Sequence, residues 1–330
     1  MGFRFVTGAA DKEHSSFILD EIKQTIQEKE HGAPIYYIVP DQMTFQQEYA
    51  FFSNDYVKGS IRMQVSSFSR LALRVLQETG GGTRKFISSV GIQMMLRKII
   101  EEKTGDWQMF QKAIEKQGFL AQLETMITEF KRYDVTPDVL KQQQLMIDQY
   151  VHKTPKEVSL MNKLDDLTYI YEELASALQG TYIDNEDQLD MLTERILETD
   201  YFQDAEIYLD GFYRFTPKEL NVIGAFMQKC KRVTIALKMN PDDLQAVQDL
   251  QELDLFYQTK ETYHILKQMI DTYGVTEEQC VVLTEQSSRY QDKPYLQHLE
   301  KHFDTRPVPA YDGQIPLQIR EAVHPRAEVE

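Results

Sequence analysis

Cysteine is nearly absent from this chain. Cys230 and Cys280 are the two in 330 residues, and neither has the CxxC spacing of a redox or metal pair. A disulfide scaffold is excluded, and a cytoplasmic thiol protein is expected. Long apolar runs are missing too. No stretch approaches the ~18 uncharged apolar residues of a spanning helix, so no membrane contact is expected. The opening run MGFRFVTGAADKEHSS lacks an apolar h-region and a small-residue cleavage site, which removes a secretory leader from the reading. The seven histidines show no metal-ligand spacing, and no Ser-His-Asp arrangement can be built. Basic residues are in short supply: 36 Lys and Arg face 52 Asp and Glu, a net charge of −16. Taken as a total, that charge disfavours a partner made of phosphates. What is present is core material, 42% apolar and 11% aromatic residues, which excludes disorder and fits roughly two domains.

The charge is unevenly spread. Residues 61–100 hold Arg62, Arg70, Arg74, Arg84, Lys85, Arg97 and Lys98 against the single acid Glu78, a local +6. Residues 181–210 carry ten acids against Arg195, a local −9. A basic island in an acidic chain is a candidate polyanion surface, and solvated helix faces are the bland alternative.

Along the chain, Phe3, Phe5 and Val6 read as a strand ending at Gly8, and Ile18, Leu19, Ile22 and Ile26 as a helix. Ile35 to Val39 is a continuous β-rich run stopped by Pro40, with Asp41 placed to cap a following helix. Strand, helix, strand, helix within fifty residues predicts an α/β fold with a parallel sheet. From Phe86 to Arg195 only Pro137 and Pro155 interrupt helical patterns. Stripes recur at Ile92, Met95, Leu96, Ile99 and Ile100, at Leu120, Leu123, Ile127 and Phe130, and at Leu164, Leu167, Ile170, Tyr171 and Leu174. Strands return at Ile207–Leu209 and Val233–Leu237, separated by a helix start in which Thr216, Pro217 and Glu219 make a capping box. Five of eleven prolines fall after residue 290. The last residues, His324 to Glu330, look like the first turns of a helix, so a piece of a longer protein is expected. The predicted organisation is an α/β domain in two parts, 1–85 and 196–300, a helical insertion at 86–195 and a connector at 301–330. This is the plan of the RecA-like first motor domain of superfamily 1 helicases.

Such a domain needs a phosphate loop, GxxxxGK[ST], after its first strand. Backbone N–H groups cradle the phosphates there, the Lys neutralises them and the hydroxyl holds Mg²⁺. The chain reads Gly8-Ala9-Ala10-Asp11-Lys12-Glu13-His14-Ser15. Gly8 and Ser15 match the pattern, while Glu13 stands for the second Gly and His14 for the Lys. A carboxylate repels triphosphate and a His is mostly neutral at pH 7. Asp210 stands at the Walker B position, but Gly211 follows where an active motor has Glu. The strand–loop–helix is expected to serve architecture, with the degenerate nucleotide set Gly8, Lys12, His14, Ser15 and Asp210 not binding ATP tightly. The rival is a weak, divergent NTPase rescued by Lys12.

Five runs carry a family resemblance: Val39-Pro40-Asp41-Gln42-Met43-Thr44-Phe45, Val65 to Leu76, Gly91 to Lys98, Thr128-Glu129-Phe130-Lys131-Arg132-Tyr133 and Asp210 to Pro217. In this order the chain resembles, over essentially all of its length, the N-terminal third of the B subunit of the bacterial AddAB-type ATP-dependent helicase/deoxyribonuclease, in its Gram-positive form. The resemblance implies a heterodimer that resects DNA double-strand breaks for recombinational repair. The A subunit would be the motor, and the B subunit would scan unwound single-stranded DNA for the Chi sequence. It implies a C-terminal nuclease domain, with Mg²⁺ and a 4Fe–4S cluster, beyond this chain, and no catalytic residue or cofactor within it. Relatives often keep an intact phosphate loop, and this chain departs from them there. A further alternative makes the region a docking module for the A subunit alone.

Single-stranded DNA asks for aromatic faces, cations and polar groups for base edges. Gln42 and Thr44 lie at a helix start, where free backbone N–H groups favour phosphate. Ser66 or Ser67 caps a helix that begins at Phe68 and ends at Gly80-Gly81-Gly82. Its face opposite Ala72, Val75 and Leu76 carries Arg70 and Arg74 at i, i+4. Phe68 alone reads as core, and the resemblance makes it a stacking candidate beside Arg70. Phe212 lies just past the strand end at Asp210, the crevice position of open α/β sheets. Of Phe212, Tyr213 and Phe215, one exposed ring is expected, and Phe212 is the choice.

Overall fold

The computed structural model describes residues 1–53, 59–80, 84–103, 107–110, 113–150, 153–240, 244, 250–284, 290–316 and 318–329. Gly81 and Gly82 of the expected helix stop lie outside the described residues. The first α/β part alternates as the sequence predicts: β1 (Gly2–Gly8), α1 (His14–Glu28), β2 (Ile35–Ile38), a 3-10 turn (Asp41–Met43) leading into α2 (Thr44–Phe52), β3 (Met63–Ser66) and α3 (Phe68–Thr79). Asp41 does not cap α2. It sits inside the 3-10 turn, and its carboxylate accepts instead from the Ser69 hydroxyl at 3.1 Å. Ser67 is the true cap of α3, its Oγ accepting from the Arg70 N–H.

The helical part runs through β4 (Lys85–Phe86), α4 (Ser89–Glu102), α5 (Phe119–Arg132), α6 (Pro137–Asp148), α7 (Pro155–Leu178) and β5 (Tyr182–Ile183). β4 and β5 pair in parallel, Lys85 with Tyr182 and Phe86 with Ile183, so the chain enters and leaves this module through a two-strand neck. Then come α8 (Asn185–Glu198), β6 (Glu206–Leu209), α9 (Pro217–Lys229), β7 (Arg232–Lys238), α10 (Tyr257–Tyr273), β8 (Thr276–Glu277), β9 (Val281–Val282), α11 (Pro294–His302) and α12 (Pro325–Val329).

The main sheet has the order β3-β2-β6-β7-β1-β8, with β9 also on β1. Its pairings are parallel. It is a RecA-like α/β fold. Alternation along the strands sends Phe3, Phe5, Tyr36 and Ile38 to one face, packed with α3, α8, α9 and α10. Val6, Ile35, Tyr37 and Val39 go to the other face, against α1 and Phe51 of α2. Both faces are covered, which is why the strands read as continuous apolar runs rather than alternating ones.

The helical module has a core of its own, from Ile87 to Leu178, built from the three predicted stripes. Its boundary differs from the expected 86–195. Leu189, Leu192 and Ile196 of α8 belong to the α/β core, so the module closes at the neck, near Ile183. The capping box of α9 forms as read, Thr216 with Glu219, and α7 has a second, Thr154 with Glu157. Among the described residues no helix is long and apolar enough to cross a membrane.

Candidate nucleic-acid interface

The loop after β1 is filled by its own side chains. Lys12 Nζ lies 2.9 Å from Asp11 Oδ2, and the Lys12 stem covers Gly8, where an added Cβ would stand 3.0 Å from its Cγ. His14, in the Lys position, is 3% exposed, with Nδ1 3.0 Å from the Lys12 carbonyl oxygen. Burial lowers its pKa, so the ring is neutral at pH 7. Glu300 of α11 lies beside the loop; burial, and then the Asp11 charge, raise its pKa. A phosphate arriving here meets carboxylates and a lysine whose charge is already engaged.

The Walker-type pair is closed on itself. Ser15 Oγ donates to Asp210 Oδ2 at 2.5 Å, and the Tyr37 hydroxyl donates to the same oxygen at 2.7 Å. Burial, with the Asp210 charge behind it, pushes the Tyr37 pKa up, so the phenol stays a donor. Tested as a magnesium–nucleotide site, this donor set does not fit. The buried, neutral His14 stands where a phosphate loop has its lysine, and the one carboxylate, Asp210, takes two protein hydrogen bonds on one oxygen.

On the opposite face of β6 the chain forms a crevice of about 370 Å³ at the C-terminal ends of β2 and β6 and the start of α3. Open parallel sheets place ligands there, outside the carboxyl ends of their strands. Its apolar floor is Phe68, Leu189 and Phe212. The rest of its lining includes Pro40, Asp41, Ser67, Ser69, Arg132, Glu186, Thr216 and Glu219. Phe68, Phe212 and Phe215 form a ring cluster, with centroids 5.7 Å apart for Phe68–Phe212 and 4.9 Å for Phe212–Phe215.

The sequence-derived candidates separate on this geometry. Phe68 is 5% exposed, so its ring backs Phe212, which is only partly buried. The exposed ring of this turn is Tyr213, at 56%, and not Phe212 as the sequence suggested, because Phe212 lies against Phe68 and Phe215 while Tyr213 turns toward Lys238. Gln42 is exposed on the 3-10 turn, whereas Thr44 is buried and its hydroxyl donates to the Asp41 carbonyl at 2.9 Å. Thr44 therefore shapes the turn instead of facing the crevice. Arg70 is exposed one residue beyond Ser69 and has no acidic partner among the described residues. Arg74, one turn farther, bonds Glu78 at 3.0 Å and Gln64 at 2.7 Å.

The basic window is thus less basic than its count. Arg62 is buried and donates to the Thr25 and Lys29 carbonyls at the end of α1 and to the Ala33 carbonyl before β2. Arg97 and Lys98 pair with Glu101 and Glu102. Sequence reasoning passed over Arg132 and Glu186 as crevice residues. They join across the module junction at 3.0 Å, while the neighbouring Lys131 reaches Asp184 and Asp187 at 2.7 and 3.0 Å. The only signal available was the Lys131-Arg132 pair at a predicted helix end and the acids at the start of α8.

Residues 5–300 match the family model described as ADDB, N-terminal. A protein of Oceanobacillus iheyensis, named as the B subunit of an ATP-dependent helicase/deoxyribonuclease, is 56% identical over 330 residues, which is 100% of this chain and 28% of that protein. Two Bacillus cereus proteins of the same name are 42% and 41% identical over 331 residues, with the same coverage of each chain. The chain spans 28% of the length of these relatives. With a RecA-like sheet under the match, the chain belongs to the AddB N-terminal family.

Proposed function

We propose that this region captures and scans a single DNA strand for a helicase/nuclease whose chemistry is done elsewhere. The observation that supports it is the crevice at the strand ends, where the partly exposed Phe212 ring is backed by Phe68 and Phe215. A ring held from behind is a stacking platform that needs no ordering when a base arrives. Gln42 on the neighbouring turn offers an amide to base edges, and Arg70 offers a cation to phosphate. The relatives' name supports the setting. A protein named as one subunit of an enzyme works with a second, here the A-type motor, in resection of double-strand breaks, and Chi is the sequence at which scanning pauses. The loop after β1 loads no nucleotide on this reading, which assigns no catalytic role to the described residues. Mg²⁺ and a 4Fe–4S cluster belong to the nuclease part of the longer protein, and the assembly works in the cytoplasm.

Fluorescence anisotropy with labelled oligonucleotides, on the full-length subunit paired with its partner, tests this. Phe212→Ala removes one stacking face and is expected to cost about 1–3 kcal/mol of single-strand affinity. Phe68→Ala is a poor probe, because emptying so buried a ring site costs about 3–5 kcal/mol of stability. Unchanged binding in both Phe212→Ala and Arg70→Ala would sink the assignment.

A second reading makes the helical module a dock for the partner subunit. Leu145, Met146, Tyr150 and Val158 are exposed where α6 ends and α7 begins. Charged substitutions at Leu145 and Met146 would then dissociate the subunits in sedimentation and leave single-strand binding unaltered.

A further inference from the structure

We propose that Asp210, whose counterpart in a motor holds metal, is here a positioning residue that sets the crevice. This rests on the single-strand reading of that crevice. Asp210 is 4% exposed and takes the Ser15 and Tyr37 hydroxyls on one carboxylate oxygen. It is therefore pinned from two sides, by the first turn of α1 and by the centre of β2. Its own N–H donates to the Ile38 carbonyl at 3.1 Å, which extends the β2–β6 ladder one residue past the strand.

A tight turn comes directly after the pin. Gly211 has φ +83°, in the left-handed region, and an added Cβ would meet Met43 Sδ at 2.8 Å and Pro40 Cδ at 3.2 Å. The Asp210–Gly211 turn is thus pressed against the Pro40–Met43 turn that carries Gln42. Phe212 leaves this turn directly into the crevice. One carboxylate consequently fixes the stacking ring and, through the packed turn, the amide beside it. A motor keeps its loop hydroxyl and Walker acid on a shared metal. In this chain the two bond each other, and that bond braces the strand end from which Phe212 departs.

The test is a double-mutant cycle on the full-length subunit with its partner. Asp210→Ala removes the pin, Asp210→Asn keeps an acceptor, and Phe212→Ala removes the ring. In the wild-type background Asp210→Ala is expected to weaken oligonucleotide binding about fivefold, and in the Phe212→Ala background less than about twofold, because residues acting through one another are not additive. Asp210→Asn is expected to recover most of the loss. If Asp210→Ala does not fold, judged by thermal melting, Ser15→Ala with Tyr37→Phe removes both donors and takes its place in the cycle. Equal losses in both backgrounds, or no loss in the wild type, overturn the inference alone. If Phe212→Ala and Arg70→Ala are themselves silent, the single-strand reading falls and this inference with it. Magnesium-dependent binding of a fluorescent ATP analogue that Asp210→Ala abolishes would show a metal ligand instead of a pin.

Discussion

His14 stands where a phosphate loop carries its lysine, yet it is packed into the start of α1 with its ring buried and neutral. That burial has a pH signature. The unfolded chain takes up a proton near the ordinary 6.5, while the folded chain, whose His14 pKa is lowered, takes it up only at lower pH. Stability from this group is complete above 6.5 and is lost as pH falls below it, since the unfolded state then binds more protons. His14→Gln keeps a polar group of similar reach and removes the titration. Urea midpoints compared at pH 7.5 and 5.5 should therefore fall less in the variant than in the wild type. Equal falls would mean that His14 is not buried neutral. A histidine that must stay uncharged also cannot replace the lysine electrostatically.

At the scale of elements, α7 holds its module together through a polar group as well as an apolar stripe. Asp166 is fully buried and accepts the N–H groups of Gln108, Met109 and Phe110 at 2.7–3.1 Å, with Lys103 at 3.5 Å. Three donors and a cation converge on one carboxylate and tie the segment before α5 to the middle of α7. Asp166→Ala strands all of them and is expected to cost about 3 kcal/mol, read as a shift of the denaturation midpoint. A shift within error would mean that water replaces the carboxylate. The stripe that contains Leu164 and Leu167 was legible in the sequence because a 3.6-residue period survives any tertiary context. The role of Asp166 was not, since nothing local distinguishes it from exposed Asp165. The same limit misplaced α8. Leu189, Leu192 and Ile196 mark an apolar face, but periodicity names a face and not the body it packs on. Among Phe68, Phe212 and Phe215, sequence could count aromatics near a strand end. The choice of Phe212 as the exposed ring of its turn missed, since only packing decides that Tyr213 turns outward while Phe212 stays partly buried against Phe68 and Phe215.

Over the whole molecule, a charge of −16 bears on the proposed single-strand crevice through how few cations are free. Of the seven in residues 61–100, Arg62 is a buried brace, while Arg74, Arg97 and Lys98 hold acids on their own helices. The charge total was legible from composition, but the difference between a charge present and a charge available was not, because it depends on ion pairs one helical turn apart. Arg70 is exposed, follows the crevice-lining Ser69 and has no acidic partner among the described residues, whereas the lining Arg132 is held by Glu186, so Arg70 is the cation proposed for phosphate. Affinity here should accordingly rest on stacking more than on counterion release, and salt can separate the two. Each phosphate neutralised on a single strand contributes about −0.7 to the slope of log K against log salt concentration. Arg70→Ala in the full assembly should make that slope shallower by about 0.7, one phosphate's worth. Phe212→Ala should weaken binding by a similar factor at every salt concentration and leave the slope unchanged. Oligonucleotide titrations across a salt series give both values from the same experiment. An unchanged slope in Arg70→Ala would move the phosphate contact off α3, and a changed slope in Phe212→Ala would mean that the ring orders a cation instead of stacking a base.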